Sequence, residues 1–384
     1  MASPTDGATA ERPEPEDPHF MAMALALARR GLGRVAPNPA VGCVIVAEGR
    51  VVGRGWTQPG GRPHAETEAL ARAGAAARGG TAYVSLEPCA HHGRTPPCAE
   101  ALVEAGIARV VTALRDPDPR VDGGGIARLR EAGLRVTEGV GAVAAAAVNR
   151  GFLARIREGR PYVALKLASS LDGRIATPGG ESRWITGPES RAWAHGLRAR
   201  YDAIMVGSGT ALADDPDLGC RLPGLADRSP VRIVVDRRLR LPLTSRLVAT
   251  AATRPTWLVT APGNDRTRLD GYRQAGVEVI ETGDGHAELP SPAAVLAALA
   301  ERGITRVLVE GGAHLAAALI GAHLVDRIYW FQAPFVIGGD GHPAVAGLAL
   351  ERLAEAFNLP LARQLRLGVD TLGIFDAMGL ADVP

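Results

Sequence analysis

The chain has 384 residues, of which 46% are apolar and 22% charged, and its 43 Lys and Arg against 41 Asp and Glu leave a formal charge of +2. That length fits about two to three domains of roughly 100–200 residues. The near-neutral balance and the 4% aromatic content exclude a disordered polyelectrolyte and argue against a surface that wraps or stacks on nucleic acid.

Residues 1–18, rich in Pro, Glu and Asp, are expected to form a disordered tail, because almost nothing apolar offsets the entropy of ordering them. The apolar run 21–28 follows Asp6, Glu11, Glu14, Glu16 and Asp17, not the basic stretch that opens a signal peptide, so a helix is predicted at 20–30. Strands at 41–47 and 51–55, turning at Gly49, read as a hairpin. A helix at 65–77, a strand at 82–86, a polar loop, a helix at 99–105, a strand at 109–114, a helix at 125–132 and a strand at 135–137 complete a first α/β block. The Ala-rich runs 71–78 and 142–148 read as helix filler. The basic segment 149–161 ends in Gly159-Arg160-Pro161, and a boundary near Ile156 divides the chain into domains 19–155 and 156–384. The second block is again α/β. Its strands are expected at 162–168, 203–206, 231–235, 256–260, 277–280, 307–309 and 326–333, and its helices at 189–200, 291–302 and 314–322. No stretch approaches the ~20 apolar residues that span a bilayer. The four Cys read as reduced thiols of a cytoplasmic protein.

Three pieces of the first block carry chemistry. Pro63-His64-Ala65-Glu66 opens a helix, Pro88-Cys89 follows a strand, and Cys98 comes later. A catalytic zinc takes three protein ligands and an exchangeable water. The order H-x-E, P-C, C is a nucleobase-deaminase signature in which the Glu is no ligand. Glu66, two residues beyond His64, is close enough to take the water's proton and pass it to a leaving nitrogen. Placing His64 and Cys89 at helix starts would aim helix dipoles at the metal's ligands. The signature usually has two residues between its Cys, whereas residues 90–97 separate them here. That loop holds His91 and His92, either of which would close the fourth position and make the site structural. Cys43, in an apolar strand, and Cys220, in an Arg-rich loop, read as packing, and Asn38, between two prolines, as a turn residue.

The second block has no G-x-G-x-x-G, and Gly207-Ser208-Gly209 lacks the third glycine. Val307-Leu308-Val309-Glu310 running into Gly311-Gly312 and then a helix is either a phosphate cradle or close packing.

The run from Leu86-Glu87-Pro88-Cys89 through Thr95-Pro96-Pro97-Cys98 resembles the deaminase half of bifunctional riboflavin-biosynthesis enzymes. Those enzymes fuse a diaminohydroxyphosphoribosylaminopyrimidine deaminase to a 5-amino-6-(5-phosphoribosylamino)uracil reductase. Pro37-Asn38-Pro39, Val41-Gly42-Cys43-Val44 and Arg115-Asp116-Pro117 are similar to the same half. Leu165-Lys166-Leu167-Ala168, Ser170-Leu171-Asp172-Gly173-Arg174, Glu181-Ser182-Arg183-Trp184, Leu197-Arg198-Ala199, the stretch 210–216 and Val309-Glu310-Gly311-Gly312 resemble the reductase half, over nearly all of the second block. The resemblance implies a cytidine-deaminase-like three-layer α/β/α domain followed by a dihydrofolate-reductase-like α/β domain. It implies Zn²⁺ on His64, Cys89 and Cys98, with Glu66 carrying protons. It implies NADPH on Ala168, Trp184, Thr210, Asp214 and the turn and helix start Gly312, Ala313, His314, Leu315, Ala316, Ala317 and Ala318. Substrate contacts are implied at Asn38, Ser182, Arg198, Leu218, Arg221 and Glu310. Arg198 and Arg221 suit a ribose 5-phosphate. Lys166 suits an oxygen or that phosphate, and Trp184 offers a flat wall for the nicotinamide. The chain departs from the family at Thr57, where His is common, at Ala90, where Ser is usual, and at Arg237, where a small hydroxyl is common. Arg237 is expected to contact the 2′-phosphate of NADPH; the alternative is a solvated basic cluster with Arg238 and Arg240.

The implied function is hydrolytic deamination of a phosphoribosylamino-pyrimidine and then reduction of its ribosyl chain to ribityl. The expected setting is a cytoplasmic homo-oligomer, dimer or tetramer, with a small-molecule substrate and neither nucleic acid nor membrane as partner. Three alternatives stand beside it: a nucleic-acid or nucleoside base deaminase with an accessory domain, a paralogue with one inactive half, and a non-catalytic zinc protein.

Overall fold

Short strands with apolar residues on both sides need cover on both faces. The computed structural model, which describes residues 11–91, 96–283 and 291–377, supplies that cover within each of two units, Met1–Arg157 and Glu158–Pro384. The first unit comprises α1 (Asp17–Ala28), β1 (Gly42–Ala47), β2 (Arg50–Trp56), α2 (Ala65–Ala73), β3 (Thr81–Val84), α3 (Cys98–Glu104), β4 (Arg109–Thr112), α4 (Gly124–Glu131), β5 (Arg135–Glu138), α5 (Ala142–Val148) and α6 (Arg150–Glu158). Its sheet runs β2-β1-β3-β4-β5, antiparallel as far as β3 and parallel beyond it. Cys43, Ile45, Ala82, Val84 and Val110 pack with residues of α2, α3, α4 and α6, among them Ala65, Ala69, Leu102, Leu129 and Phe152. The alternate residues Val44, Val46, Tyr83 and Val111 pack with Phe20 and Ala24 of α1 and Ala145 of α5. The period-two alternation thus builds a three-layer α/β/α unit. Helix α2 lies on bare backbone: a Cβ at Gly53 or Gly55 of β2 would fall on the carbonyl oxygen of Ala69 or Ala65, respectively.

The second unit comprises β6 (Tyr162–Ser169), β7 (Arg174–Ala176), α7 (Pro188–Arg198), β8 (Ala203–Gly207), α8 (Ser208–Asp214), β9 (Val231–Val235), α9 (Arg246–Ala249), β10 (Thr256–Thr260), α10 (Arg266–Gln274), β11 (Glu278–Glu281), α11 (Pro292–Glu301), β12 (Arg306–Glu310), α12 (Ala313–Gly321), β13 (Arg327–Gln332), β14 (His342–Pro343), β15 (Leu361–Leu367) and β16 (Asp370–Asp376). Nine strands form one sheet in the order β11-β10-β9-β8-β12-β6-β13-β16-β15. It is parallel from β11 to β13, and a terminal antiparallel hairpin joins it. Met205, Ile233 and Val259 pack with α11 and α12, while Val206, Val234 and Leu258 pack with Ala211 of α8 and Leu269 and Tyr272 of α10. Among the described residues no helix is long and apolar enough to cross a membrane.

Several expectations shift. Glu11–Pro18, expected to be tail, are placed, and α1 begins at Asp17. Asp17 is fully buried and accepts both forks of the Arg109 guanidinium at 2.8 and 2.7 Å, with Glu14 3.3 Å away. This partner lies far along the chain, so local composition does not reveal it. Residues 1–10 of that tail lie outside the described residues. The boundary expected near Ile156 lies beside the division of the two units after Arg157, within α6, whose Phe152 and Leu153 join the core of the first unit. Helix α10 escapes the periodicity because only Leu269 and Tyr272 of its nine residues are buried. The terminal hairpin escapes it because β15 has no fully buried residue to set an alternation.

Candidate active sites

His64 has the extended backbone of an N-cap (φ −71°, ψ 161°) and opens α2. Glu66 lies in the first turn and is 3% exposed. Cys98 is the first residue of α3. Cys89 is not at a helix start, contrary to expectation: it sits in the loop after β3, because residues 90–97 intervene before α3. The start of α3 still serves it, since the Cys98 N–H donates to Cys89 Sγ at 3.3 Å and the Ala99 N–H to the Cys89 carbonyl at 3.2 Å. His64 Nδ1 lies 3.3 Å from Cys98 Sγ and 3.7 Å from Cys89 Sγ, and the three donor atoms are all within 4.8 Å of one another. Tetrahedral zinc, with bonds of about 2.0 Å to nitrogen and 2.3 Å to sulfur, separates such donors by about 3.5 Å. The donor set therefore fits zinc. Among the described residues His91 is not part of this group, and its buried Nδ1 has no hydrogen-bond partner; His92 lies outside the described residues.

The charges are set by contact and burial. A hydrogen bond from the Cys98 side chain, helped by His64 and the Cys98 N–H, lowers Cys89 to about 4 against the opposing effect of burial. The same bond, together with burial, raises Cys98. Burial, with the Cys89 charge nearby, pushes Glu66 up to about 7. Asn38 donates to the Gly61 carbonyl at 2.9 Å, which braces the loop before His64. Thr57 is 2% exposed and turns its hydroxyl to the Val41 N–H (3.0 Å) and the Pro39 carbonyl (3.2 Å).

Glu87, in the sequence only one residue of the Leu86–Cys98 run, has a task in the structure. Its carboxylate is 3% exposed and accepts the N–H groups of Asp116 (3.2 Å), Gly123 (3.1 Å), Gly125 (2.9 Å) and Ile126 (3.1 Å). A Cβ at Gly125 would fall on the Pro88 carbonyl oxygen. The two residues before Cys89 are therefore fastened to the first turn of α4.

In the second unit Lys166 of β6 and Glu310 of β12 are register partners. Glu310 accepts Arg198 Nε and Nη2, each at 2.8 Å, and Lys166 Nζ lies 3.9 Å from its Oε2. Burial opposes the charge on Glu310, but Arg198 and Lys166 outweigh it and hold the carboxyl at about 2. Burial lowers Lys166, with Glu310 resisting. Arg198 also donates Nη1 to the Gly219 carbonyl at 2.9 Å. Three of its donors are thus engaged before any ligand arrives.

The other expected residues are spread more widely. Ala168 follows Lys166 by two residues on β6, opposite Phe331. Trp184 is 68% exposed, and the Arg191 guanidinium lies 4.5 Å from its ring centre. Ser182 is half-buried and Arg221 exposed. Asp214 ends α8, and its carbonyl accepts Arg183 Nη2 at 3.4 Å. The Leu218 side chain belongs to the core with Ile204 and Val234, so its backbone is the part that can face a ligand. Gly311 and Gly312 have φ of 85° and 91°, and a Cβ on either would come 3.3 Å from the Thr210 side chain. Gly312 caps α12, so a glycine cradle meets a helix start beside Thr210, a fit for a dinucleotide's phosphates. Ala313 and His314 open α12, whereas Leu315 and Ala316 pack into the core, and Ala317 and Ala318 lie further along the helix. The Arg237 carbonyl is pinned by Thr260 Oγ1 (3.0 Å) and Asn264 Nδ2 (2.9 Å). Arg240 instead donates Nη2 to Ser208 Oγ, at the start of α8, at 2.6 Å, with the buried Asp236 carboxylate 3.8 Å from its Nε. Three nearby arginines look alike in sequence, and only the fold separates them.

Residues 15–114 match the family model of the cytidine and deoxycytidylate deaminase zinc-binding region, and residues 161–372 match that of the RibD C-terminal domain. The chain is 43% identical to the riboflavin biosynthesis protein RibD of Escherichia coli over 352 residues, covering 89% of this chain and 94% of that protein. It is 38% identical to the RibD of Aquifex aeolicus over 359 residues, covering 94% and 98%. A RibD structure from Acinetobacter baumannii superposes with a TM-score of 0.85 at 38% identity, covering 94% of this chain and 98% of that one. A Thermotoga maritima structure described as a diaminohydroxyphosphoribosylaminopyrimidine deaminase/5-amino-6-(5-phosphoribosylamino)uracil reductase superposes with a TM-score of 0.82 at 34% identity, covering the same shares.

Proposed function

Because the chain belongs to the RibD family of riboflavin-biosynthesis proteins, we propose that its two units act in turn on one phosphoribosylamino-pyrimidine. The chain is a zinc-dependent deaminase joined to an NADPH-dependent reductase. The first unit replaces the 2-amino group of 2,5-diamino-6-(5-phosphoribosylamino)pyrimidin-4-one with oxygen and releases ammonia. The second reduces the ribosyl chain to ribityl. The observation that carries this reading is the His64, Cys89 and Cys98 triangle with Glu66 buried at the start of the same helix as His64.

When bound, zinc supplies an acidified water and NADPH supplies the electrons of the reduction. His64, Cys89 and Cys98 hold the metal. Glu66 moves the proton, accepting it at a carboxylate oxygen and delivering it to the departing nitrogen. In the second unit the Gly311-Gly312 turn, Thr210 and the start of α12 hold the cofactor phosphates, and Trp184 covers the nicotinamide. Lys166 faces the oxygen that gains a proton, while Arg198 and Arg221 receive the substrate's phosphate. Removing zinc with a chelator is expected to abolish ammonia release and to leave NADPH-dependent reduction of already deaminated substrate intact. Loss of both activities would contradict two separate centres.

Arg237 and Arg240 are proposed to share the 2′-phosphate of NADPH, and the Arg240 bond to Ser208 supports the larger part for Arg240. Replacing either by Ala is expected to weaken NADPH by roughly 1–3 kcal/mol, as for a charge-assisted hydrogen bond, with NADH almost unchanged. The ratio of kcat/KM for the two cofactors reads this directly. A ratio unchanged in one variant assigns the contact to the other arginine, and unchanged ratios in both would reject the assignment.

A cytoplasmic setting is supported by four Cys that are all unpaired. A homo-oligomer, dimer or tetramer, is supported by the exposed Leu171, Phe335 and Val336, where the Leu171 N–H donates to the Phe335 carbonyl at 2.8 Å and joins their two loops.

A further inference from the structure

The loop between α8 and β9 is held far more firmly than a connecting loop needs. Asp217 takes both forks of Arg254, at 2.7 and 2.5 Å. The Gly219 N–H donates to Asp217 Oδ1 at 2.9 Å, and its carbonyl accepts Arg198 Nη1 at 2.9 Å. The Cys220 N–H donates to Ser229 Oγ at 3.0 Å, and its thiol to the His195 carbonyl at 3.3 Å. The Arg221 N–H donates to His195 Nδ1 at 3.2 Å. Leu218, in the midst of these anchors, has a φ of 60°. A branched side chain in the left-handed region costs free energy and persists only where the surroundings over-determine it. Such strain gathers at ligand clamps.

His195 and Arg198 are three residues apart on α7, so they share one face of the helix. From that face they grip the loop at Gly219, Cys220 and Arg221, the last of which is exposed. Arg198, Arg221 and Glu310 lie close enough to this grip to act on the His195 charge. Burial, and then Arg198 and Arg221, push His195 down to about 4, so the imidazole is neutral and its Nδ1 is free to accept. Glu310 pairs Arg198, and Arg221, close enough to act on His195, adds a positive charge that suits a phosphate monoester dianion.

We propose that His195 is a positioning residue: by accepting the Arg221 N–H it fixes the 217–221 loop so that Arg221 stands beside Arg198 to receive the phosphate monoester of the reductase substrate. This rests on the assignment of Arg198 and Arg221 to that phosphate. Preorganisation lowers the cost of binding and need not alter the chemical step.

The test is steady-state reduction by the full-length protein of the deaminated, phosphorylated substrate and of its dephosphorylated analogue, with Arg221→Ala run alongside. His195→Ala is expected to raise KM for the phosphorylated substrate about fivefold to fiftyfold, with kcat and NADPH affinity within about twofold. KM for the dephosphorylated analogue is expected to stay unchanged. His195→Asn places an acceptor close to the position of Nδ1 and is expected to restore KM to within about threefold of wild type. Should the alanine variant fail to fold, His195→Gln, which fills the site but carries its acceptor further out, takes its place. An unchanged KM in His195→Ala beside a raised KM in Arg221→Ala would overturn the positioning role and leave the phosphate assignment standing. An unchanged KM in both would overturn the assignment and the proposal with it. An asparagine variant as impaired as alanine would overturn the acceptor role.

Discussion

Glu66→Gln is expected to keep its zinc and to lose deaminase kcat/KM by roughly 10²–10⁴-fold, the scale of a positioned general acid and base. The substitution preserves volume in a site where the side chain is 3% exposed, so packing changes little. What it removes is a carboxylate oxygen that takes up a proton and gives it back. Burial and the Cys89 charge raise this carboxyl to about 7. Zinc content and ammonia release, measured on the same preparation, separate the proton role from metal binding. Normal deamination by Glu66→Gln would reject the proton role, and loss of zinc would recast Glu66 as part of the metal site.

Cys89→Ser and Cys98→Ser are each expected to lose zinc and to lower deamination by more than about 100-fold, because each takes away one of three protein donors and replaces a thiolate with a poor ligand. Cys89 is fastened from both sides, by the Cys98 N–H at its sulfur and by Glu87 and Pro88 against α4. Serine there meets the same backbone donor, so the variant tests the ligand and not the loop. The reductase activity of the same variants, assayed with deaminated substrate, is expected to be unchanged and shows that the chain has folded. Full zinc retention in both would contradict the ligand set.

The metal triangle was legible because zinc chemistry restricts both residue type and order: His64, Cys89 and Cys98 meet although the polar loop between the two Cys is longer than the usual signature. The layers of the first unit were legible for a different reason, since alternation along β1, β3 and β4 divides residues between two faces wherever the strands run. What escaped depends on partners distant in sequence. Glu87 gathers four N–H groups from a loop and helix start 29–39 residues away. Asp17 is ordered by Arg109, 92 residues on. Arg198 reads as a phosphate contact, yet Glu310 and Gly219 already engage three of its donors. Leu218 reads as a substrate contact without a direction, and the fold turns its side chain into the core beside Val234. In each case residue type was informative and direction was not.

The most direct measurement is incubation of the full-length, zinc-loaded protein with 2,5-diamino-6-(5-phosphoribosylamino)pyrimidin-4-one, with and without NADPH, following ammonia release and NADPH loss separately. Two coupled centres predict ammonia release without NADPH and, when NADPH is present, its stoichiometric loss only after deamination. Ammonia release with no NADPH loss, NADPH loss with no ammonia, or neither would contradict a chain in which both halves act on the same substrate.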